Sequence, residues 1–445
     1  MRFFQITCLA LALFLLALPT RASSGLNIIR DAETEAMLRS FGEPIFEAAG
    51  LPAGSVNFVL VQNNQINAFV AGGSNMFIFT GLLRAARTPD ELIGVIAHET
   101  GHIAGGHLVR TREEMRNASA TAILATIAGV AAAAASGDGG AGIAALSLGN
   151  SVAERTFLKY SRTQESAADQ AALDYLDRNH MSATGMRNFL QRLQDQELLP
   201  TDQQSAFVRT HPLTRERVEA VTRHIEQSHA AANPLPASHT ETFNRVIRKL
   251  EGYLDPRGTL QRTSATATDF PTRYARALAF HMTGDTRGAL DLTEKLLREE
   301  PNNPYLHELK GQVLFESGRA REAIPAYRKA VSLSNGNALL RLGLAQALLD
   351  GGAAGDLSSA VNELESIINI ERGSPHMWRL LATAYGKQNQ LGMAAYALAE
   401  EALARGNKPV AAQQAKRAQE MLTRGSPGWI RAGDVLGAAE TKEEE

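Results

Sequence analysis

A chain of 445 residues is longer than one hydrophobic core usually sustains, so two or three domains are expected. The composition, 44% hydrophobic and 21% charged, is that of a soluble globular protein. A net charge of −2 without a basic stripe argues against a nucleic-acid binder, and a single cysteine excludes a disulfide framework or a thiolate zinc site.

In chain order, Arg2 precedes an apolar run from Phe3 to Leu18, and Pro19 and the small-residue site Thr20-Arg21-Ala22 follow. This is the anatomy of a secretory signal cut after Ala22, with an uncleaved anchor as the alternative. Cys8 lies inside the run, so the mature chain carries no thiol and suits a bacterial periplasm.

From Asn27 to Ala49 apolar residues recur every three to four positions, which predicts one or two helices broken near Gly42 and Pro44. Val56–Val61, Ile66–Val70 and Met76–Phe79 read as strands, with turns at Asn63-Asn64 and Gly72-Gly73. A small antiparallel sheet is expected from them. A helix then starts at Thr88, with Pro89 at its first position and Glu91 placed to complete a capping box with Thr88. It carries His98-Glu99-Thr100-Gly101-His102. Histidines four residues apart on a helix lie about 40° apart around the axis, so both rings can grip one Zn²⁺. Glu99 is placed to take the proton of a metal-bound water. The rival reading is a chance pattern on a buried helix.

A compact third ligand would be a histidine at position 108, but Leu108 stands there and His107 is one residue early, a turn of about 100° on a helix. His107 is therefore expected at the surface or behind a ligand. Glu165 is the better third ligand. It lies on an amphipathic helix predicted over Arg155–Asp177, where Asp169 shares its face one turn on and Ala167, Ala168, Ala171 and Ala172 admit a neighbouring helix. Asp169 is placed to accept a ring N–H from a ligand histidine. A solvated face of a charged helix is the alternative.

Asn67-Ala68-Phe69, Phe79-Thr80-Gly81-Leu82-Leu83, His98-Glu99-x-x-His102, Glu165-x-x-x-Asp169 and His211-Pro212 follow one another as in the HtpX-like and CAAX-prenyl-protease-like zinc peptidases. With the repeats described below, the chain resembles the periplasmic β-barrel assembly-enhancing protease group across nearly its whole mature length. That resemblance implies His98, His102 and Glu165 as zinc ligands, Glu99 as the base, and Asn67-Ala68-Phe69 as an edge strand that pairs with the substrate backbone. It also implies that His211 can take the open metal position and hold the enzyme latent, with Arg217 as its companion. Two other readings stay open: that His211 or Arg217 stabilises the oxyanion, and that His211 merely caps a helix.

Ala118 to Ala135 and Ala141 to Leu148 form an apolar, alanine-rich stretch interrupted by Ser136–Gly140. It is too poor in leucine for a membrane span, which leaves a hairpin over the cleft touching membrane or client, or a buried helix pair. After the linker Asn233–Pro236 and a basic connecting helix from Phe243 to Tyr253, a 34-residue period appears: Gly284/Gly318, Ala289/Ala323, Ala277/Gly311/Ala345 and Ala360/Ala394, with Ala382 in the last unit. This is the tetratricopeptide spacing, in four units with Lys408–Leu422 as a capping helix and Glu443–Glu445 as an acidic, disordered tail. Tyr274, Tyr305 and Tyr385 are candidates for its concave face or for its packing.

The expected architecture is mainly α with a small antiparallel sheet, a zincin-type metallopeptidase domain followed by an α-solenoid. The expected boundaries are 1–22 signal peptide, 23–230 peptidase, 231–268 linker and connecting helix, 269–425 repeats and 426–445 tail. The expected function is an exported zinc endopeptidase with one Zn²⁺ per chain. Its clients, by resemblance, are outer-membrane β-barrel proteins and their assembly machinery. The rival is a chaperone scaffold whose zinc site is latent or structural.

Overall fold

The computed structural model describes residues 27–71, 74–107, 162–194, 204–230, 233–353, 355–370 and 374–441. The expected signal peptide, the Gly72-Gly73 turn, the start of the expected Arg155–Asp177 helix, the 118–148 stretch and the expected acidic tail at Glu443–Glu445 fall outside them.

The chain opens with a short strand β1 (Ile28–Ile29) and one continuous helix α1 (Ala32–Ala48). The break expected at Gly42 and Pro44 does not occur. Asp31 caps the helix by accepting from Thr34 N, and the apolar face Met37, Leu38, Phe41, Ile45 and Phe46 is buried, which outweighs the one backbone bond Pro44 cannot make. Each such side chain contributes about 1.5–3 kcal/mol on burial. Gly42 lets the rings of Phe46 and Phe58 lie against the helix, for a Cβ there would sit within 2.9 Å of both.

Strands β2 (Asn57–Val61), β3 (Ala68–Ala71) and β4 (Asn75–Phe79) complete a sheet ordered β1-β2-β4-β3. The sheet is mixed, not antiparallel as the short connections suggest: β4 pairs parallel with β2 (Leu60 with Ile78) and antiparallel with β3 (Phe69 with Phe77). The segment after β2 steps past one strand position, and β4 returns into the gap. That segment is pinned by α2 (Thr80–Ala85), where Thr80 Oγ1 donates to Asn63 O at 3.0 Å and accepts from Asn63 N at 3.1 Å. A Cβ on Gly81 would meet Asn64 O at 2.3 Å, so glycine is required there. β3 is left as an edge strand among the described residues.

Helix α3 (Pro89–Ala104) begins at Thr88, but the reciprocal capping box does not form. The Thr88 side chain makes no cap bond. Glu91 instead accepts from Arg87 N at 2.8 Å and is forked by Arg192 at 2.8 and 2.6 Å. Arg192 lies on α5 (Thr184–Gln194), and a charge-assisted pair there wins over a local cap. Between them in sequence runs α4, over 162–178. It packs on α3 where Gly101 faces Ala168, with an imagined Cβ only 2.7 Å from Ala168 O. α6 (Ala206–Thr210) and α7 (Arg215–Gln227) close this half.

The connecting segment is structural and not a tether. Helix α8 (Ala237–Leu254) contributes Phe243, Val246 and Leu250 to the same core as the sheet and α3. Beyond it, among the described residues, five helix pairs stack as a solenoid: 270–282 with 286–299, 304–316 with 320–333, 338–351 with 356–370, 375–387 with 391–404, and 408–421 with 427–440. The predicted small residues sit at the crossings; Ala277, Ala289, Ala323, Ala345 and Ala360 are wholly buried and Gly311 admits the Tyr327 ring. Lys408–Met421 is thus not the terminal cap: Ser426 and Pro427 start one more helix, which buries Ala432, Val435 and Ala439, so the expected 426–445 tail is mostly helical. Among the described residues no helix is long and apolar enough to cross a membrane.

The two halves are joined by a buried ionic cluster. Lys249 of α8 reaches Asp31 at 2.5 Å and Glu33 at 3.3 Å, and Tyr274 of the first repeat donates to Glu33 at 2.9 Å. Lys249→Met is expected to destabilise the protein by about 3 kcal/mol in denaturant unfolding, because the buried Glu33 carboxylate and the partly exposed Asp31 lose their cation. Adding Glu33→Gln to that variant should restore part of the loss.

Candidate metal centre

The pentapeptide lies where α3 runs against α4, and His98, Glu99 and His102 are all buried. Their rings are oriented by neighbours behind them. His98 Nδ1 is 2.8 Å from Asp169 Oδ1, and His102 Nδ1 is 3.0 Å from His107 Nδ1. This leaves both Nε2 atoms turned toward one point, 3.1 Å from each other and 3.3 Å from Glu165 oxygens. Two facing imidazole lone pairs repel unless a cation or a proton lies between them.

Glu165 and Asp169, one turn apart on α4, are held from the far side by Arg217 of α7. Its Nε and one terminal nitrogen donate to Asp169 at 2.6 and 2.8 Å, and the other reaches Glu165 at 2.9 Å and Pro212 O at 2.9 Å. His211, between α6 and α7, places Nδ1 3.1 Å from Glu165 and Nε2 3.4 Å from Glu99, with its ring 4.7 Å from that of Phe207. His98, His102, Glu165 and His211 each offer a ligand atom, and all four atoms lie within 4.8 Å of one another.

Burial penalises every charge here, yet the partners outweigh it in most cases. Burial pulls the His98 ring down, but hydrogen bonds that it donates to Asp169 and Glu165 push it up to about 10. His102 goes the other way, because burial dominates and the charged His98 opposes a second proton. Glu165 is held well below the usual carboxylate range against its burial, chiefly by His211 and its hydrogen bonds to the histidines, and Asp169 falls to about 2 against its burial because of Arg217. Without metal, the site keeps a proton on His98.

The residues fit a metal. Two imidazole nitrogens and a carboxylate converge, a donor set suited to zinc, each imidazole anchored from behind as metal-binding histidines are. Both oxygens of Glu99 are buried without a hydrogen-bond partner, the environment of a carboxylate that faces a polar guest.

The site thus brings together His98, Glu99, His102, Glu165, Asp169, His211 and Arg217. Asn67, Ala68 and Phe69 are not members of this cluster: Ala68 and Phe69 lie on β3, which packs against α3, and Asn67 just before it has a buried Oδ1 without a hydrogen-bond partner. His107 is buried against His102, not at the surface. Phe207 was not foreseen; its spacing of four from His211 is the only sequence signal for it.

Residues 32–225 match Peptidase family M48, and residues 274–338 and 314–384 match tetratricopeptide repeats. The β-barrel assembly-enhancing protease of Yersinia pestis is 25% identical over 340 residues, 75% of this chain and 68% of that protein. Its counterpart from Escherichia coli K12 is 25% identical over 371 residues, 81% and 74%. The metalloprotease LoiP of E. coli K12 is 28% identical over 166 residues, 37% and 61%. Among solved structures, YrrB, a tetratricopeptide protein with an unusual peptide-binding site, aligns with 44% of this chain and 97% of its own at 19% identity and a TM-score of 0.32.

Acid should weaken the metal-free fold through Asp169. Its folded value of about 2 lies below the ordinary 3.8, so its contribution is complete above about pH 4 and lost as pH falls toward 2. Urea unfolding of the metal-free protein should register about 2 kcal/mol from this group, and Asp169→Asn should flatten that part of the profile.

Proposed function

From a chain that carries a peptidase family M48 domain followed by tetratricopeptide repeats, we propose an exported zinc-dependent endopeptidase with chaperone-like activity, acting in assembly and quality control of outer-membrane β-barrel proteins. The observation that carries the peptidase reading is the buried His98–His102–Glu165 convergence beside the Glu99 carboxylate, whose oxygens have no hydrogen-bond partner. The client class rests on the names of the relatives, which are 25% identical over most of the chain. Periplasmic localisation, cleavage near Ala22 and the division into 23–230 and 269–425 belong to the same proposal.

His98, His102 and Glu165 would hold one Zn²⁺, which when bound supplies Lewis-acid polarisation and an acidified water. Glu99 takes a proton from the nucleophile and passes it to the leaving amine. Asp169 fixes the His98 tautomer, and Arg217 holds Asp169 and Glu165 in place; with its donors so committed, it is a positioning residue. The open edge of β3, which begins at Ala68 just after Asn67 and includes Phe69, offers backbone groups to an extended client. His211 in the ligand cluster supports latency, because a fourth protein ligand takes the place a water needs.

Glu99→Gln should retain zinc and client binding while client cleavage falls by at least about 100-fold. Unchanged cleavage or an unchanged cellular phenotype would leave only the scaffold reading. His211→Ala should raise proteolysis by about tenfold, the gain expected if roughly nine sites in ten rest closed. Equal or lower activity removes the latency proposal.

A further inference from the structure

A cavity of 490 Å³ lies outside the metal centre, at the junction of the two halves. Its walls come from residues 29–31 beside the sheet, from α8, and from the inward faces of helices 304–316 and 338–351. That volume is in the range of ligand pockets. Tyr253, Tyr305 and Phe315 give it apolar surface, and Gln312 and Gln346 present amides.

Its charge is unbalanced. Asp31 and Glu33 already share Lys249. The wall carries the carboxylates of Asp31, Glu308 and Glu316 against the cations Arg30 and Lys249. Arg30 is paired with Glu35 and Glu316 with His281, whereas Glu308, one turn from Tyr305 on the same helix, has neither a hydrogen bond nor an ion pair within 4 Å among the described residues. Burial pushes its carboxyl up to about 7 although Lys249 opposes this, and Asp31, Glu33 and Glu35 add to the rise. A carboxylate with no hydrogen-bonded partner, acted on only by a lysine that Asp31 and Glu33 already share, is costly until a further cation arrives.

We propose that this cavity captures a client polypeptide by a lysine or arginine side chain that pairs with Glu308, with an adjoining apolar residue against Tyr253 and Tyr305. The segment would be held by both halves at once, beside β1 and so about 14 Å across the sheet from the β3 edge, at three strand spacings. The proposal rests on the reading that the repeats hold clients for the peptidase half.

The test uses the mature Glu99→Gln protein, so that peptides are bound and not cut. A short fluorescein-labelled peptide with one lysine between leucine and phenylalanine is titrated against its norleucine counterpart. The lysine peptide should bind about tenfold tighter. Glu308→Gln should abolish that preference, and so should Gln346→Lys, which brings a cation of the protein's own to the cavity; circular dichroism melts verify that each variant is folded. No preference in the parent, or a preference that survives both substitutions in folded protein, overturns the proposal. Cleavage of β-casein by the wild-type chain is followed separately. Absence of Glu99-dependent cleavage with the lysine preference intact supports the pocket and defeats only the peptidase reading.

Discussion

Two carboxylates one helical turn apart, Glu165 and Asp169, are buried where His98, His102, His211 and Arg217 converge, and the arrangement of the first half follows from satisfying them. A bare buried carboxylate costs several kcal/mol. Here α3 supplies imidazoles, α7 supplies a guanidinium, and the turn before α7 supplies His211. Each element is thereby held at a definite distance from α4. Gly101 sets the closest approach, since a side chain at that position would collide with the Ala168 backbone. The glycine of the pentapeptide is a packing residue, and the precision of the two histidines depends on it.

Most of the centre was legible because helical periodicity turns spacing into direction. His98 and His102, and Glu165 and Asp169, are pairs four apart, and such pairs share a face whatever the rest of the chain does. What was not legible came from long-range choices. The capping box failed because Arg192, 101 residues from Glu91, bound it more strongly than the local backbone. α1 stayed whole through Pro44 because its apolar face is covered on all sides. The direction of β4 depends on which side of β2 the intervening strand is placed, and alternation of side chains within a strand carries no information about that. The terminal helix 427–440 lacks the period of the earlier units; its Ser426-Pro427 start was the available signal.

The second half is not an appendage. α8 lends Phe243, Val246 and Leu250 to the core that supports α3, and Lys249 on the same helix binds the start of α1 beneath Tyr274. A rigid junction of this kind fixes the repeat face relative to the sheet, so a segment held by one half has a defined path toward the other. The same junction leaves Glu308 without a hydrogen-bonded partner, a feature that a self-contained fold would be expected to neutralise.

The central claim is that the converging side chains exist to hold one zinc ion. Atomic emission measurement of zinc per chain in the purified mature protein, alongside Glu165→Gln, tests this most directly. The account predicts about one zinc per chain in the wild type and a large loss in the variant, which removes a third of the donor set. Protein free of zinc after purification under metal-replete conditions, or zinc retained undiminished without the Glu165 carboxylate, would contradict it.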